Sequence, residues 1–173
     1  MINRNKQKEP LYRPRLEIDI SPLEIVANVV SLMGMILIVV VIYKYWPQLP
    51  DLVPSHFGLN GQPDAWTSKN SLPFFALIPL ALYILLTVIG RKPHLCNYSV
   101  RLTKDNAVRL YAISVKFLAI LKMILSWLFV YIFYAIAQIG LGSSWQLDWG
   151  FVIFFAFLAA ALFWYLHASY KNR

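Results

Sequence analysis

The chain has 173 residues, 59% of them hydrophobic and 14% charged, with a mean hydropathy of +0.57 and a formal net charge of +8. A soluble domain carries about 25% charged residues, so this composition excludes an ordinary water-soluble core and points to the membrane class. The positive charge does not indicate nucleic acid, because a basic patch needs a water-facing fold to display it, and these charges sit in tails and loops between apolar runs.

Residues 1–20 read as a basic tail with Arg4, Lys6, Lys8, Arg13 and Arg15. The next residues, Ser21-Pro22-Leu23-Glu24, carry the signature of a capping box, with Ser21 as N-cap, Pro22 at the first helical position and Glu24 three after the cap. The uncharged run Ile25–Tyr43 follows. A bilayer core of about 30 Å takes roughly 20 helical residues, so this run is long enough to span. No small-x-small cleavage site follows it, so it is expected to remain as a helix and not to be removed as a signal. Leu72–Gly90 is a second uncharged span, with Pro79 expected to kink it.

The connection 91–115 leads into the third span through "TKDNAVRLYAISVK" (103–116), an amphipathic lead-in with Thr103 as its expected cap and Asp105–Arg109 as a favourable i,i+4 pair. The lone cysteine, Cys96, excludes an internal disulfide framework. Phe117–Gln138, interrupted only by Lys122, is the third span. Lys122 is expected to snorkel to the interface, since no span offers an acidic partner. Trp149–Ala168 is the fourth, with Trp145 and Trp149 at one end and Trp164, Tyr165 and Tyr170 at the other, as in an interfacial belt. Small residues, Ala27 and Ser31 in the first span and Ala156 and Ala160 in the fourth, offer packing faces.

Fourteen Lys and Arg fall on the side of the two termini and two, Lys44 and Lys69, on the other. The positive-inside rule then puts both termini in the cytoplasm, where the basic face would sit against anionic headgroups. The expected fold is an all-α membrane protein of four transmembrane helices, N-in and C-in, with an ordered extracytoplasmic loop between helices 1 and 2. Residues 21–115 form a helical hairpin with outer loop 44–72 and cytoplasmic connection 91–115. Residues 116–173 form a second hairpin and a short basic tail.

The outer loop is the polar exception. Five prolines between residues 45 and 73 restrict it, Asn60-Gly61 suits a turn with positive φ, and Leu49, Leu52, Val53, Phe57 and Trp66 supply apolar area to dock on the helix ends. A lid across the mouth of the bundle is expected, with an extended segment around Val53–Phe57.

The stretch "LPDLVPSHFGLNGQPDAWTSK" resembles the signature of a bacterial membrane domain of unknown function found at the N-terminus of SdpI-type toxin-immunity proteins. Pro50, Pro54, His56, Phe57, Gly61, Pro63, Asp64, Trp66 and Lys69 fall on the pattern. The resemblance is specific over about residues 30 to 90, and "NYSVRLTKDNAVRLY" extends it to about 115. It implies a bacterial cytoplasmic (inner) membrane location and two activities, protection against a secreted hydrophobic peptide toxin and capture of a transcriptional repressor. The chain is expected to be shorter than those proteins and without their second membrane unit.

Three readings of the loop chemistry compete. If the loop folds back at Asn60-Gly61, Asp51, His56 and Asp64 converge on a Zn²⁺ site that is one ligand short. In a purely structural reading, His56 bonds the loop backbone while Asp51 and Asp64 cap turns. In a recognition reading, Phe57 and Trp66 anchor a partner and His56 makes the polar contact. Ser55 beside His56 is no triad, and neither GxSxG nor a phosphate loop is present. The expectation is a non-enzymatic protein with no catalytic residue, metal or cofactor. Its loop recognises a protein or hydrophobic peptide through Asp51, His56, Phe57, Asn60, Asp64 and Trp66, with Pro50, Pro54, Gly61, Pro63 and Lys69 as structure. An accessory subunit of a larger membrane complex is the alternative, and a metal-dependent enzyme a distant third.

Overall fold

A computed structural model describes residues 13–58, 60–144 and 149–173. Arg4, Lys6 and Lys8 of the basic tail and Trp145 of the expected aromatic belt lie outside the described residues.

Helix α1 runs Pro22–Tyr45 and begins as its capping box requires. Ser21 Oγ accepts the Glu24 amide at 3.4 Å, while Glu24 Oε1 accepts the Ser21 amide at 3.3 Å and its hydroxyl at 2.7 Å. Two otherwise orphaned helix-end donors are thereby satisfied. A single 3₁₀ turn, Trp46–Gln48, ends it.

The second span is broken where Pro79 demands it. Helix α2 (Leu72–Phe75) and helix α3 (Leu77–Gly90) meet at Ala76. Pro79 has no N–H to give the carbonyl of Phe75 four residues back; the regular pattern resumes with Leu80 N–H to Ala76 O at 3.4 Å.

Helix α4 (Ala107–Gly140) is the central element, and helix α5 (Trp149–Lys171) completes the bundle. Helices α1, α3 and α5 all pack against α4, whereas α1 and α3 barely touch each other. Four segments are long and apolar enough to cross a membrane: Pro22–Gln48, Lys69–Gly90, Ala107–Gly140 and Trp149–Lys171. They point to a multi-pass membrane protein.

The α1–α4 contact follows from a stripe of small residues. Ala27, Ser31, Gly34 and Ile38 are buried on one face of α1, and a Cβ placed on Gly34 would lie 3.0 Å from Ser126 Cβ. Without a hydrophobic force between helices in lipid, close backbone approach is what holds them together. The contact also fixes direction. Gly34 meets Ser126, and Gln138 Nε2 donates to Tyr45 Oη at 3.3 Å, so α1 and α4 run parallel.

The fourth span does not use the expected alanines. Ala156 and Ala160 are both exposed, and α5 turns Phe151, Phe154, Leu158, Tyr165 and Ser169 inward instead. Phe117 stacks on Tyr165 with ring centroids 4.6 Å apart. Aromatic side chains set the spacing on that side, and Gly150 at the start of α5 leaves room for the Tyr131 ring.

Two further expectations are corrected near the terminal end of the bundle. Lys122 does not snorkel: it is 5% exposed, donates to Thr87 Oγ1 at 2.9 Å and lies 4.7 Å from the Tyr83 ring centroid. Asp105 and Arg109 are both exposed and form no ion pair among the described residues. Thr103 acts one turn ahead of α4, where Thr103 Oγ1 accepts the Asn106 amide at 3.3 Å and Asn106 Oδ1 accepts the Thr103 amide at 2.8 Å.

Residues 13–20 fold onto the connection 91–106. Arg13 donates to the carbonyls of His94 and Cys96 at 3.4 and 3.1 Å, and Tyr111 Oη donates to Pro14 O at 3.1 Å. Leu16 and Ile18 pack on a small core of Leu102, Ala107, Leu110 and Tyr111. Burial pushes the Cys96 thiol above its ordinary pKa, opposed by the Arg13 guanidinium. Burial likewise pushes the Tyr98 phenol upward, and its hydroxyl donates to Pro93 O at 2.8 Å.

Candidate functional site

The polar segment between α1 and α2 is an antiparallel hairpin of strand β1 (Leu52–Phe57) and strand β2 (Pro63–Ser68). The expected extended segment is therefore one arm of a two-stranded sheet. Leu52 pairs with Ser68, Val53 with Thr67, Pro54 with Trp66, His56 with Ala65 and Phe57 with Pro63, the register slipping around His56. Such bulges re-aim side chains.

The turn is built as Asn60-Gly61 suggests, with one refinement. Gly61 has φ 73°, whereas no described residue other than glycine has positive φ. Asn60 contributes through its side chain instead, Oδ1 accepting the Gln62 amide at 3.1 Å. The Gly58 amide donates to Gln62 O at 2.9 Å and closes the loop.

The hairpin is anchored at its base and along one face. The Lys69 amide donates to Asp51 O at 2.9 Å, and Lys69 Nζ donates to Leu49 O at 2.8 Å. Leu49 and Val53 are buried in a core with Ile38, Leu72, Phe133, Ile136 and Ala137, and Phe57 packs on its edge. Gly140, at the end of α4, makes room: a Cβ there would stand 3.1 Å from Leu49 Cδ2 and 3.5 Å from Val53 Cγ1. Pro54 is fully buried.

The other face is open. Leu52 is 59% and Trp66 50% exposed, so these two do not dock on the helix ends as Leu49 and Val53 do. Asp64, Trp66 and Ser68 share a face of β2 by the two-residue period of a strand. Leu52 lies diagonally across from Trp66, within reach of its ring. His56 Nδ1 meets Asp64 Oδ1 at 2.6 Å with both side chains more than half exposed. An ionised carboxylate only accepts, so Nδ1 carries the proton. In the neutral ring, Nε2 is then a directed acceptor facing solvent.

Of the site residues expected from the sequence, His56, Asp64 and Trp66 come together on the open face. Phe57 is turned to the core edge, and Asn60 serves the turn. Asp51 goes elsewhere: its side chain is fully exposed and stands 3.9 Å from Lys69 Nζ. Hence the convergence of two carboxylates and one histidine fails at Asp51, and among the described residues no group of three or more His, Cys, Asp or Glu forms a metal site. Leu52 is the residue that sequence reasoning misplaced. Its alternation with buried Val53 was the available signal.

No solved structure matches the chain. It is similar to an uncharacterized protein of Archaeoglobus fulgidus, 26% identical over 170 residues, an alignment that covers 87% of this chain and 93% of that protein. Residues 33–88, from the middle of α1 through the hairpin to the end of α3, match a domain of unknown function, DUF1648.

Proposed function

We propose that the chain is a non-enzymatic membrane receptor of the SdpI-like immunity or sensor type, whose hairpin recognises a protein or hydrophobic peptide at the membrane surface. In this reading both termini are cytoplasmic, as the distribution of Lys and Arg favours, and the hairpin faces outward. One observation carries the proposal. The hairpin buries Leu49 and Val53 on one side yet leaves Leu52 and Trp66 about half exposed beside a carboxylate-oriented histidine. A loop that served only as a plug would bury its tryptophan. An exposed aromatic next to a directed polar group is the composition of a recognition hot spot.

The lateral surfaces of α3 and α5 are apolar and suited to lipid, so the bilayer is one partner. The proposed ligand is largely apolar because the open strip offers Leu52 and Trp66, with His56 Nε2 and the half-exposed Asp64 carboxylate as hydrogen-bond acceptors beside them. The His56–Asp64 pair holds the ring in one orientation, which lowers the entropy lost when a ligand N–H or O–H meets it.

The test is protection of sensitive cells by the expressed chain against a panel of secreted, membrane-active hydrophobic peptides. Trp66→Ala and His56→Ala should abolish protection, while Leu85→Ala on the lipid side of α3 retains it. Hairpin variants as protective as the wild type would contradict the reading. Loss of a stoichiometric co-purifying complex on changing helix faces alone would instead establish the accessory-subunit role.

A further inference from the structure

At the end of the bundle carrying both termini, a cavity of about 850 Å³ opens between α1 and α3, with α4 as its floor and residues 16–20 across its mouth. The recognition role of the hairpin does not use it. Lys122 lines it and is 5% exposed. Its ammonium has Thr87 Oγ1 and the Tyr83 ring as partners, and among the described residues no carboxylate lies within 4 Å. A buried cation at membrane depth without a counter-ion is costly and marks a functional position.

The charges along the cavity are ordered. Because α1 and α4 run parallel with Gly34 beside Ser126, Lys122 lies level with Val30. Glu24, six residues earlier on α1, is then about 9 Å nearer the mouth. Glu24 is buried, while Glu17, Asp19 and Arg91 stand exposed at the rim. A cation is therefore deepest, and acidic groups predominate toward the water. Beside the cavity α1 and α3 scarcely meet.

We propose that this cavity binds the headgroup of an ethanolamine phospholipid from the adjacent leaflet. In such a lipid the phosphate lies nearer the bilayer centre and the ammonium nearer the water, the reverse of the cavity's charge order. The phosphate takes Lys122 as a charge-assisted donor. The ammonium, with three N–H groups, is held by the rim carboxylates, and the acyl chains leave between α1 and α3. A choline headgroup has no N–H to donate to those carboxylates. A glycerol headgroup leaves a net anion facing a lining in which three acidic residues outnumber two basic ones.

The full chain, purified in a mild detergent, is offered equal amounts of phosphatidylethanolamine, phosphatidylcholine and phosphatidylglycerol with identical chains, and bound lipid is read by intact-complex mass spectrometry. One phosphatidylethanolamine should be retained in preference to the others. Lys122→Gln should lower its retention about tenfold, the loss of one charge-assisted hydrogen bond. Glu17→Gln with Asp19→Asn, both exposed and harmless to folding, should bring phosphatidylethanolamine and phosphatidylcholine to parity. This rim variant decides the question alone if Lys122→Gln does not fold. Equal or better retention of phosphatidylglycerol, no retained lipid, or an ethanolamine preference unmoved by the variants would each overturn the assignment.

Discussion

Gly34 is the point where α1 and α4 come closest, and it gives the sharpest test of the bundle. A Cβ there meets Ser126 Cβ at 3.0 Å, the Ser126 carbonyl carbon at 3.4 Å and its oxygen at 3.5 Å. Two of those three atoms are backbone, so the strain cannot be relieved by turning a side chain. Overpacking of this kind costs about 1–3 kcal/mol. Replacing a mid-helix glycine by alanine returns about 0.5–1 kcal/mol of backbone entropy, so Gly34→Ala should destabilise by about 1–2 kcal/mol. Ser126→Gly removes the facing Cβ. Alone it costs about 1 kcal/mol of helix propensity, together with the Ser126 hydroxyl bond to Lys122 O at 2.8 Å. In the double variant the clash with Cβ is gone, so the two changes should combine to less than their sum, with a coupling of about 1 kcal/mol. Reversible unfolding of the purified chain in mixed micelles, titrated with a denaturing detergent, reads all four proteins. A neutral Gly34→Ala, or strictly additive effects, would refute the close parallel contact.

Further outcomes follow from the hairpin and from the terminal segment. Val53→Ala, at a fully buried site, should cost about 1–2 kcal/mol and quicken proteolysis of the hairpin; Trp66→Ala, half exposed, should leave the unfolding midpoint nearly unchanged. Asp64→Asn should alter stability by less than about 1 kcal/mol, since the pair with His56 is exposed and screened, yet should change the ring-nitrogen NMR shifts of His56. Burial raises the Cys96 pKa above the ordinary thiol value of 9.0, so less thiolate is present at any given pH. Its iodoacetamide alkylation should be slow near neutrality and still rising as pH passes 9.0, the value that an unperturbed thiol would have reached half-ionisation at. A rate that levels below that pH would show that the thiol is not desolvated.

The helices were legible because long apolar runs and end signals act locally. Ser21, Pro22 and Glu24 set the start of α1 without reference to any other element, and Pro79 dictates a break wherever its helix lies. The small stripe of Ala27 and Ser31 was readable for the same reason. Ala156 and Ala160 show where that logic ends: a packing face belongs to two helices, and Phe117 and Tyr165 set the spacing on the α5 side. Lys122 was misjudged because snorkelling was weighed from its position along one helix, while Thr87 and Tyr83, 35 and 39 residues away in sequence, supply the partners. The hairpin was half visible. Its turn and its histidine–carboxylate pair follow from Asn60-Gly61 folding the chain back, but the second strand contains Pro63, Asp64 and Ser68, poor strand formers that only cross-strand pairing stabilises. Leu52 and Val53 look alike in hydropathy, and only the pleat decides that one faces water and the other α4.

The proposed receptor role rests on the open strip of the hairpin making the specific contact. A photo-crosslinking residue placed at position 66 in the expressed chain, compared with the same residue at Val152 on the exposed side of α5, tests it most directly. Position 66 should capture a discrete protein or peptide in cells exposed to the hydrophobic peptides above, with position 152 capturing lipid alone. A discrete protein crosslinked from position 152 and nothing from position 66 would contradict recognition by the hairpin and place the binding surface on the helices.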